Sequence, residues 1–364
     1  MTNPLLTPVQ LGGFALPNRI LMAPLTRARA NREAVPNALM AEYYVQRASA
    51  GLIITEATGI NRAGLGMPNA PGIWNADQVA GWRGVTDAVH RAGGQIMLQL
   101  WHMGRVVHPS VSGLEVLSAS ATQAPGKIHT YEGKADHPVA KAMTLDDIAA
   151  TLDDYVTAAK NAKAAGFDGI QLHAANGYLI DQFLRDGTNL RDDDYGGPIA
   201  NRVRLLDEVI ERLLSVWDRN LVSVRLSPND AVQGVADSDP VALFSAAAQV
   251  LKRHQIGFLE MRDPPPTGTF GKGDGPRRLP LMREQFGGQV VDNCDYTAEE
   301  AMAAVASGAA EAISFGRPYI SNPDLVDRIA KGAEWAPNLG GMAHWYSPGP
   351  VGYTDYPTLA SADA

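Results

Sequence analysis

The chain predicts one closed (β/α)8 barrel spanning residues 1–364. Three observations predict it: short apolar runs alternate with longer amphipathic segments from end to end, eight such runs can be counted, and no glycine-rich turn follows the first. An open doubly wound sheet is the architectural alternative. It more often carries a Gly-rich dinucleotide loop after its first strand, and Ile20-Leu-Met-Ala-Pro-Leu-Thr-Arg27 contains no glycine. With 45% hydrophobic and 19% charged residues, the 364-residue chain can bury the large core a barrel needs.

In chain order, the first strand, Ile20 to Ala23, precedes a helix over Asn37 to Ser49, and the second, Leu52 to Glu56, precedes Ala76 to Ala92. The third, Gln95 to Leu100, is followed by a helix over Leu145 to Ala165, and the fourth, Gly169 to His173, by Asn201 to Val216. The fifth, Leu221 to Leu226, leads to Pro240 to Arg253, and the sixth is Gly257 to Met261. The seventh, Gln289 to Val291, and the eighth, Ala312 to Phe315, are followed by Ala298 to Ser307 and Asp324 to Lys331. Two connections are longer than a simple crossover. Residues 101–143 are too long and too polar for an ordinary loop and are expected to form a lid or capping insertion over the barrel mouth. Asp263 to Pro276 is Pro/Gly-rich; its Gly271-Lys-Gly-Asp-Gly275 stretch follows no strand directly and reads as loop.

Composition narrows the function. The single cysteine, Cys294, can form neither an internal disulfide nor a multi-cysteine metal or iron–sulfur site. The first residues show no secretory pattern, and no apolar run approaches the roughly 20 residues needed to span a bilayer. A net charge of −8 argues against a nucleic-acid or acidic-membrane partner. The expectation is a cytoplasmic monomer or small homo-oligomer acting on small molecules.

Barrel sites lie at the carboxyl ends of strands. Polar residues collect there: Thr26 after the first strand, Glu56 and Ala57 at the second, Gln99 and Trp101 at the third, His173 and Asn176 at the fourth, and Arg225 on the fifth. Asp292-Asn-Cys-Asp295 follows the seventh, and Gly316-Arg317 the eighth. His173 and Asn176 can grip one electronegative atom of a ligand, and Tyr178 can deliver a proton to another. The loops after strands seven and eight suggest a phosphate site, with Arg317 as a cationic fork. Each residue has a plainer reading alone: His173 as a satisfied core or loop residue, Tyr178 as packing, Thr26 as a cap, Arg317 as surface. Their joint occurrence at six strand ends favours the site.

The segments Ala23-Pro-Leu-Thr-Arg27, Gln99-Leu-Trp-His-Met-Gly-Arg105, His173-Ala-Ala-Asn-Gly-Tyr-Leu-Ile-Asp-Gln-Phe-Leu-Arg185, Asp194-Tyr-Gly-Gly197, Phe315-Gly-Arg-Pro-Tyr-Ile-Ser-Asn-Pro-Asp-Leu325 and Gly352-Tyr-Thr-Asp-Tyr-Pro357 run in order over nearly the whole chain. Together they resemble the Old Yellow Enzyme family of FMN-dependent ene-reductases, and within it the bacterial N-ethylmaleimide and 2-cyclohexen-1-one reductases. The resemblance implies a (β/α)8 barrel holding non-covalent FMN, with NADPH or NADH as hydride donor and activated alkenes as acceptors.

By that resemblance, Pro24, Leu25 and Thr26 would lie against the isoalloxazine ring, the Thr26 hydroxyl donating to O4. Gln99 would read the pyrimidine edge, Ala57 would allow close approach, and Arg225 would face N1 and O2. Asn293, Cys294, Gly316 and Arg317 would hold the phosphate, with Asp292 and Asp295 expected to face away from it. His173 and Asn176 would bind the carbonyl or nitro oxygen and Tyr178 would protonate the α-carbon. Met67, Trp101, Gln233 and Tyr346 are further candidates for the substrate pocket. His102, Arg105 and His108 are expected to orient the long loop. Arg262 and the Lys272 to Arg278 region are candidates for nicotinamide preference. One cysteine rules out the iron–sulfur dienoyl-CoA reductase type, and Thr26 disfavours the subclass with cysteine at that place. A barrel aldolase or isomerase lacks the strand-end lysine it would need, with Glu56 the clear carboxylate. A non-catalytic flavin carrier or sensor stays open at this point, separable by whether a reduced nicotinamide bleaches the flavin.

Overall fold

Eight parallel strands close on themselves in the computed structural model, which describes residues 3–229, 231–268, 273, 275–338 and 340–362. They are β1 (Ile20–Met22), β2 (Ile53–Ile54), β3 (Ile96–Trp101), β4 (Gly169–His173), β5 (Val222–Leu226), β6 (Phe258–Arg262), β7 (Val290–Asn293) and β8 (Ala312–Phe315). Each pairs with its sequence neighbours. The ring closes where β8 meets β1, with Ile313 opposite Ile20. It is continuous between β3 and β4, where Leu98 faces Ile170 and Gln99 faces Gln171.

Alternation along each strand explains why every strand position is buried. On β5, Val222, Val224 and Leu226 join the apolar layer beneath the helices, whereas Ser223 and Arg225 are buried polar residues. The barrel's lower end is filled by Leu21, Ile54, Met97, Phe258, Val291 and Ala312, capped by an amino-terminal hairpin that supplies Leu11, Phe14 and Leu16. Gly12 turns that hairpin at φ +54°, and a Cβ there would sit 2.5 Å from the Asn220 carbonyl oxygen. The packed bottom leaves chemistry to the upper end.

The outer ring comprises α1 (Ala38–Val45), α2 (Ala76–Arg91), α3 (Leu145–Ala164), α4 (Arg204–Leu214), α5 (Pro240–His254), α6 (Leu279–Phe286), α7 (Ala298–Ala306) and α8 (Leu325–Lys331). Capping boxes start α2 (Asn75 with Gln78), α3 (Thr144 with Asp147) and α7 (Thr297 with Glu300), each satisfying backbone N–H groups that the first turn leaves unpaired.

The structure departs from expectation in three places. The helix expected over Asn201 to Val216 divides at Val203 into Ile199–Arg202 and α4. The second strand is shorter than Leu52 to Glu56, because the Glu56 N–H donates to the Tyr44 hydroxyl at 2.9 Å instead of to a strand. Helix α6 lies beyond the Pro/Gly-rich connection and was not anticipated. Within that connection, residues 269–272 and 274 lie outside the described residues, Lys272 among them.

Residues 101–143 are structured rather than a plain loop. They contain a helical turn (Pro109–Ser112), a hairpin pairing Lys127–Thr130 with Gly133–Asp136, and a short ladder between Leu117–Ser118 and Lys141–Ala142. Val106, Val107, Val116, Ile128 and Ala140 form an apolar cluster with Trp101, Ala57 and Leu65, and Met67 and Tyr178 pack against it. Arg105 ties this segment inward, donating to Thr122 Oγ1 at 3.1 Å and to the Gln233 carbonyl at 2.8 Å, while its own N–H donates to Gln182 Oε1. Among the described residues, no helix is long and apolar enough to cross a membrane.

Candidate active site

The carboxyl ends of the strands open into a cavity of about 820 Å³. The exit from β4 shows how the chain aims side chains into it. After His173 the backbone turns through Asn176 (φ +58°) and Gly177 (φ +75°), where a Cβ on Gly177 would lie 2.6 Å from the Val232 carbonyl oxygen. Asp181 Oδ2 accepts from Gly177 N at 2.9 Å, Gln182 Nε2 donates to Gly177 O at 2.7 Å, and Ser227 Oγ accepts from Asn176 N at 2.8 Å. A turn locked at three points presents Asn176 and Tyr178 to the cavity. Asn176 Oδ1 is buried with no hydrogen-bond partner in the protein.

His173, Trp101 and Tyr178 form one aromatic group. The His173 and Tyr178 rings meet edge-to-face at 5.0 Å, as do those of Trp101 and Tyr178, and Trp101 lies nearly parallel to His173 at 6.4 Å. Burial, reinforced by the cationic Arg225 and Arg262, holds the His173 imidazole well below its usual range. Ala175 N donates to its Nδ1 at 3.3 Å, so the ring is neutral with its proton on Nε2. Burial likewise pushes the Tyr178 phenol above its ordinary range, with Tyr346 adding to the rise and the nearby Gln233 side chain and Arg262 opposing it. The site therefore presents two neutral groups, each with a proton to donate.

The floor is polar. Gln99, Gln171, Ser223, Glu260 and Ser314 form a connected buried layer, and Arg225 stands on it with NH2 donating to Asn293 Oδ1 at 2.9 Å. Its Nε and NH1 make no hydrogen bond within the protein, although NH1 lies 2.8 Å from Glu260 Oε1 as an ion pair. The wall from β1 is held differently. Glu56 Oε2 accepts from the backbone N–H groups of Arg27 and Ala28 at 3.1 and 2.9 Å, fixing the loop that carries Pro24, Leu25 and Thr26. The Arg27 guanidinium lies over the stacked Tyr43 and Tyr353 rings and donates to Tyr43 Oη at 3.0 Å and Gly352 O at 2.5 Å. This fastens a carboxyl-terminal segment bearing Trp345 and Tyr346 to the cavity rim.

Of the residues singled out in the sequence, Pro24, Leu25, Thr26, Met67, Trp101, Asn176, Tyr178, Arg225, Asn293, Cys294, Gly316, Arg317 and Tyr346 line the cavity. Four of the other candidates are not among the lining residues. Gln99 belongs to the floor, Ala57 to the apolar cluster with Trp101, and His173 and Gln233 reach the site through Tyr178. Asp292 is turned away, buried and accepting from Tyr296 Oη at 2.6 Å, as expected. Asp295 is not: it lines the cavity and forms an ion pair with Arg317. The cause is local, since Cys294 (φ +113°) and Asp295 (φ +53°) both take left-handed backbone.

Arg262, expected only as a determinant of nicotinamide choice, lines the cavity two residues beyond Glu260 on β6. The strand-end rule could have found it. Trp335 and Trp345 also line the cavity, from a segment beyond the last strand where no periodicity points to a site.

A large cavity with an aromatic side, a buried guanidinium whose Nε finds no acceptor in the protein, and a second arginine at the ends of β7 and β8 suits a planar heteroaromatic ligand carrying a phosphate. Comparison with known proteins decides which. The model of the NADH:flavin oxidoreductase / NADH oxidase family matches residues 4–335. The chain belongs to that family. Among relatives of this flavin oxidoreductase is a probable flavin mononucleotide-dependent alkene reductase of Leishmania infantum, 41% identical over 98% of this chain and 97% of the relative. Among solved structures, an old yellow enzyme homologue from Zymomonas mobilis superposes with a TM-score of 0.95 at 54% identity, covering 98% of this chain and 99% of the other. Morphinone reductase gives 0.93 at 40% identity, covering 100% and 98%. The Old Yellow Enzyme resemblance read from the motifs therefore holds, and with it a nicotinamide-dependent flavin oxidoreductase on a (β/α)8 barrel that takes FMN.

Proposed function

We propose that this flavin oxidoreductase is an ene-reductase working by a ping-pong cycle. It takes hydride from NADPH or NADH and reduces the activated C=C bond of α,β-unsaturated carbonyl compounds, maleimides and nitroalkenes. One observation carries the reading: a neutral, Nε2-protonated His173 packs edge-to-face at 5.0 Å on a protonated Tyr178, which lines the cavity that also holds the Arg225 guanidinium. FMN bound there would supply the hydride chemistry, accepting from the nicotinamide and giving to the alkene β-carbon.

The chain's own residues divide the remaining work. His173 Nε2–H and the Asn176 side-chain amide donate to the carbonyl or nitro oxygen of the acceptor, drawing electron density from its β-carbon, as an oxyanion hole does. Because His173 is neutral, it polarises the oxygen without giving up its proton. Tyr178 Oη delivers a proton to the α-carbon, a step that asks a high-pKa phenol to act as acid only once density has built up there. Arg225, with donors to spare, would face N1 and O2 of the flavin, and Thr26 would donate to O4. Asn293, Cys294, Gly316 and Arg317 would hold the phosphate. Trp101, Met67, Gln233 and Tyr346 shape the space for the acceptor. Morphinone reductase has been solved in complex with tetrahydroNAD, and that relative superposes here with a TM-score of 0.92, which supports a nicotinamide docking in the same cavity.

Anaerobic bleaching of the bound flavin by NADPH and NADH, followed by reoxidation with 2-cyclohexenone, N-ethylmaleimide or a nitroalkene, tests the proposal. A colourless protein that takes up no added FMN would sink it. A bleached flavin that no alkene reoxidises would remove the ene-reductase step.

A further inference from the structure

One buried carboxylate on the barrel axis has no task in this scheme. Glu260, midway along β6, is fully buried, and its strand register sets it beside Arg225 on β5. Its Oε1 lies 2.8 Å from Arg225 NH1 and accepts from Ser314 Oγ at 2.5 Å. Its Oε2 accepts from Gln171 Nε2 at 3.0 Å.

Two consequences follow from the chemistry of that group. A carboxylate paired with a guanidinium offers only acceptors, so Gln171 must turn its NH2 toward Glu260. Its Oε1 then faces β3, where it accepts from Gln99 Nε2 at 2.7 Å across directly paired positions. Gln99 in turn gives one Nε2 N–H to the relay, which fixes the amide's orientation and leaves Oε1 as its acceptor for a ligand. The second consequence is electrostatic. At 2.8 Å the Glu260 charge cancels much of the Arg225 field felt a few ångströms away.

We propose that Glu260 is a positioning residue of the flavin site with two separable effects. Through Gln171 it sets the donor–acceptor polarity of Gln99, so that an acceptor meets the N3–H of the flavin pyrimidine edge. Through Arg225 it limits how strongly the site prefers the reduced, anionic cofactor over the oxidised one. The inference rests on the FMN reading above and deepens it.

The test uses the flavin-loaded protein and two readouts besides turnover: the two-electron midpoint potential against a reference dye, and the dissociation constant of oxidised FMN from fluorescence recovery on dilution. Glu260→Gln removes the charge at nearly constant shape. It raises the preference for reduced over oxidised FMN by about tenfold, equivalent to ~30 mV for a two-electron couple, and weakens oxidised FMN because the relay loses its fixed polarity. Gln171→Met cuts the relay but leaves the Glu260–Arg225 pair intact. It weakens oxidised FMN while leaving the potential unchanged, and it decides the relay even if Glu260→Gln fails to fold. An unchanged or lowered potential in folded Glu260→Gln, or an unchanged FMN dissociation constant in Gln171→Met, overturns the inference. A wild-type protein that binds no FMN overturns the flavin reading instead, so the two failures are distinct.

Discussion

The backbone N–H of Ala175 donates to Nδ1 of His173 at 3.3 Å, and that one bond decides which ring nitrogen carries the proton. With burial, Arg225 and Arg262 all opposing protonation, the imidazole stays neutral through the physiological range. Enone reduction should therefore show no inflection from this residue between about pH 5 and 8, a window in which an unperturbed imidazole would titrate. A profile of kcat/KM against pH checks this, and an acid limb near pH 6.5 that vanishes in His173→Ala would contradict it.

Removing the oxygen-binding donor should be costly. His173→Ala is expected to lower kcat/KM for 2-cyclohexenone by about 100-fold or more, the usual order for one oxyanion-hole donor. Flavin reduction by the nicotinamide should change much less, since no carbonyl develops charge in that half-reaction. Rapid-mixing measurement of the two half-reactions separates the effects.

Tyr178→Phe keeps the ring contacts with Trp101 and His173 and deletes only the proton. Enone turnover should fall about 100-fold or more, in the range of general-acid contributions. Nitroalkenes, whose reduced anions can be protonated by solvent, should lose less. Equal losses for both substrates would argue that the phenol acts by packing.

Asp292 gives a prediction about stability rather than rate. Burial holds its carboxyl up to about 7. A raised folded-state pKa means stability is lost as pH rises from about 4 and levels off once the folded-state pKa near 7 is passed. Asp292→Asn should abolish that loss, so that between pH 5 and 8 the wild type loses on the order of 3 kcal/mol more stability than the variant. Thermal unfolding at the two pH values reads the difference directly.

Much of this architecture was legible because barrel strands are short apolar runs, and β4 and β8 match their expected limits. What was hidden depended on contacts between distant residues. Nothing near Glu56 announces that Tyr44 will take its N–H and end β2 early. Helix α6 is separated from its strand, β6, by a Pro/Gly-rich stretch, so no periodic run adjoining the strand marks it. At the site, the strand-end rule located most lining residues, yet it treats a strand end as a point. Gln99 therefore fell into the same class as Trp101, although one belongs to the floor and the other to the wall. The pairing of Asp295 with Arg317 depended on two left-handed residues in succession, which their identities do not advertise.

The Arg27 contacts carry a consequence for how the protein is made. Its guanidinium reaches Gly352 O, a partner 325 positions along the chain, and Arg29 bonds the carbonyl oxygen of Trp345 from the same loop. During vectorial synthesis the first strands can order early, but the loop carrying Thr26 obtains its last fastening only after residue 352 has cleared the ribosome. A chain truncated before Trp345 should therefore bind FMN poorly, because the loop carrying Thr26 loses the carbonyl partners that Arg27 and Arg29 use to hold it.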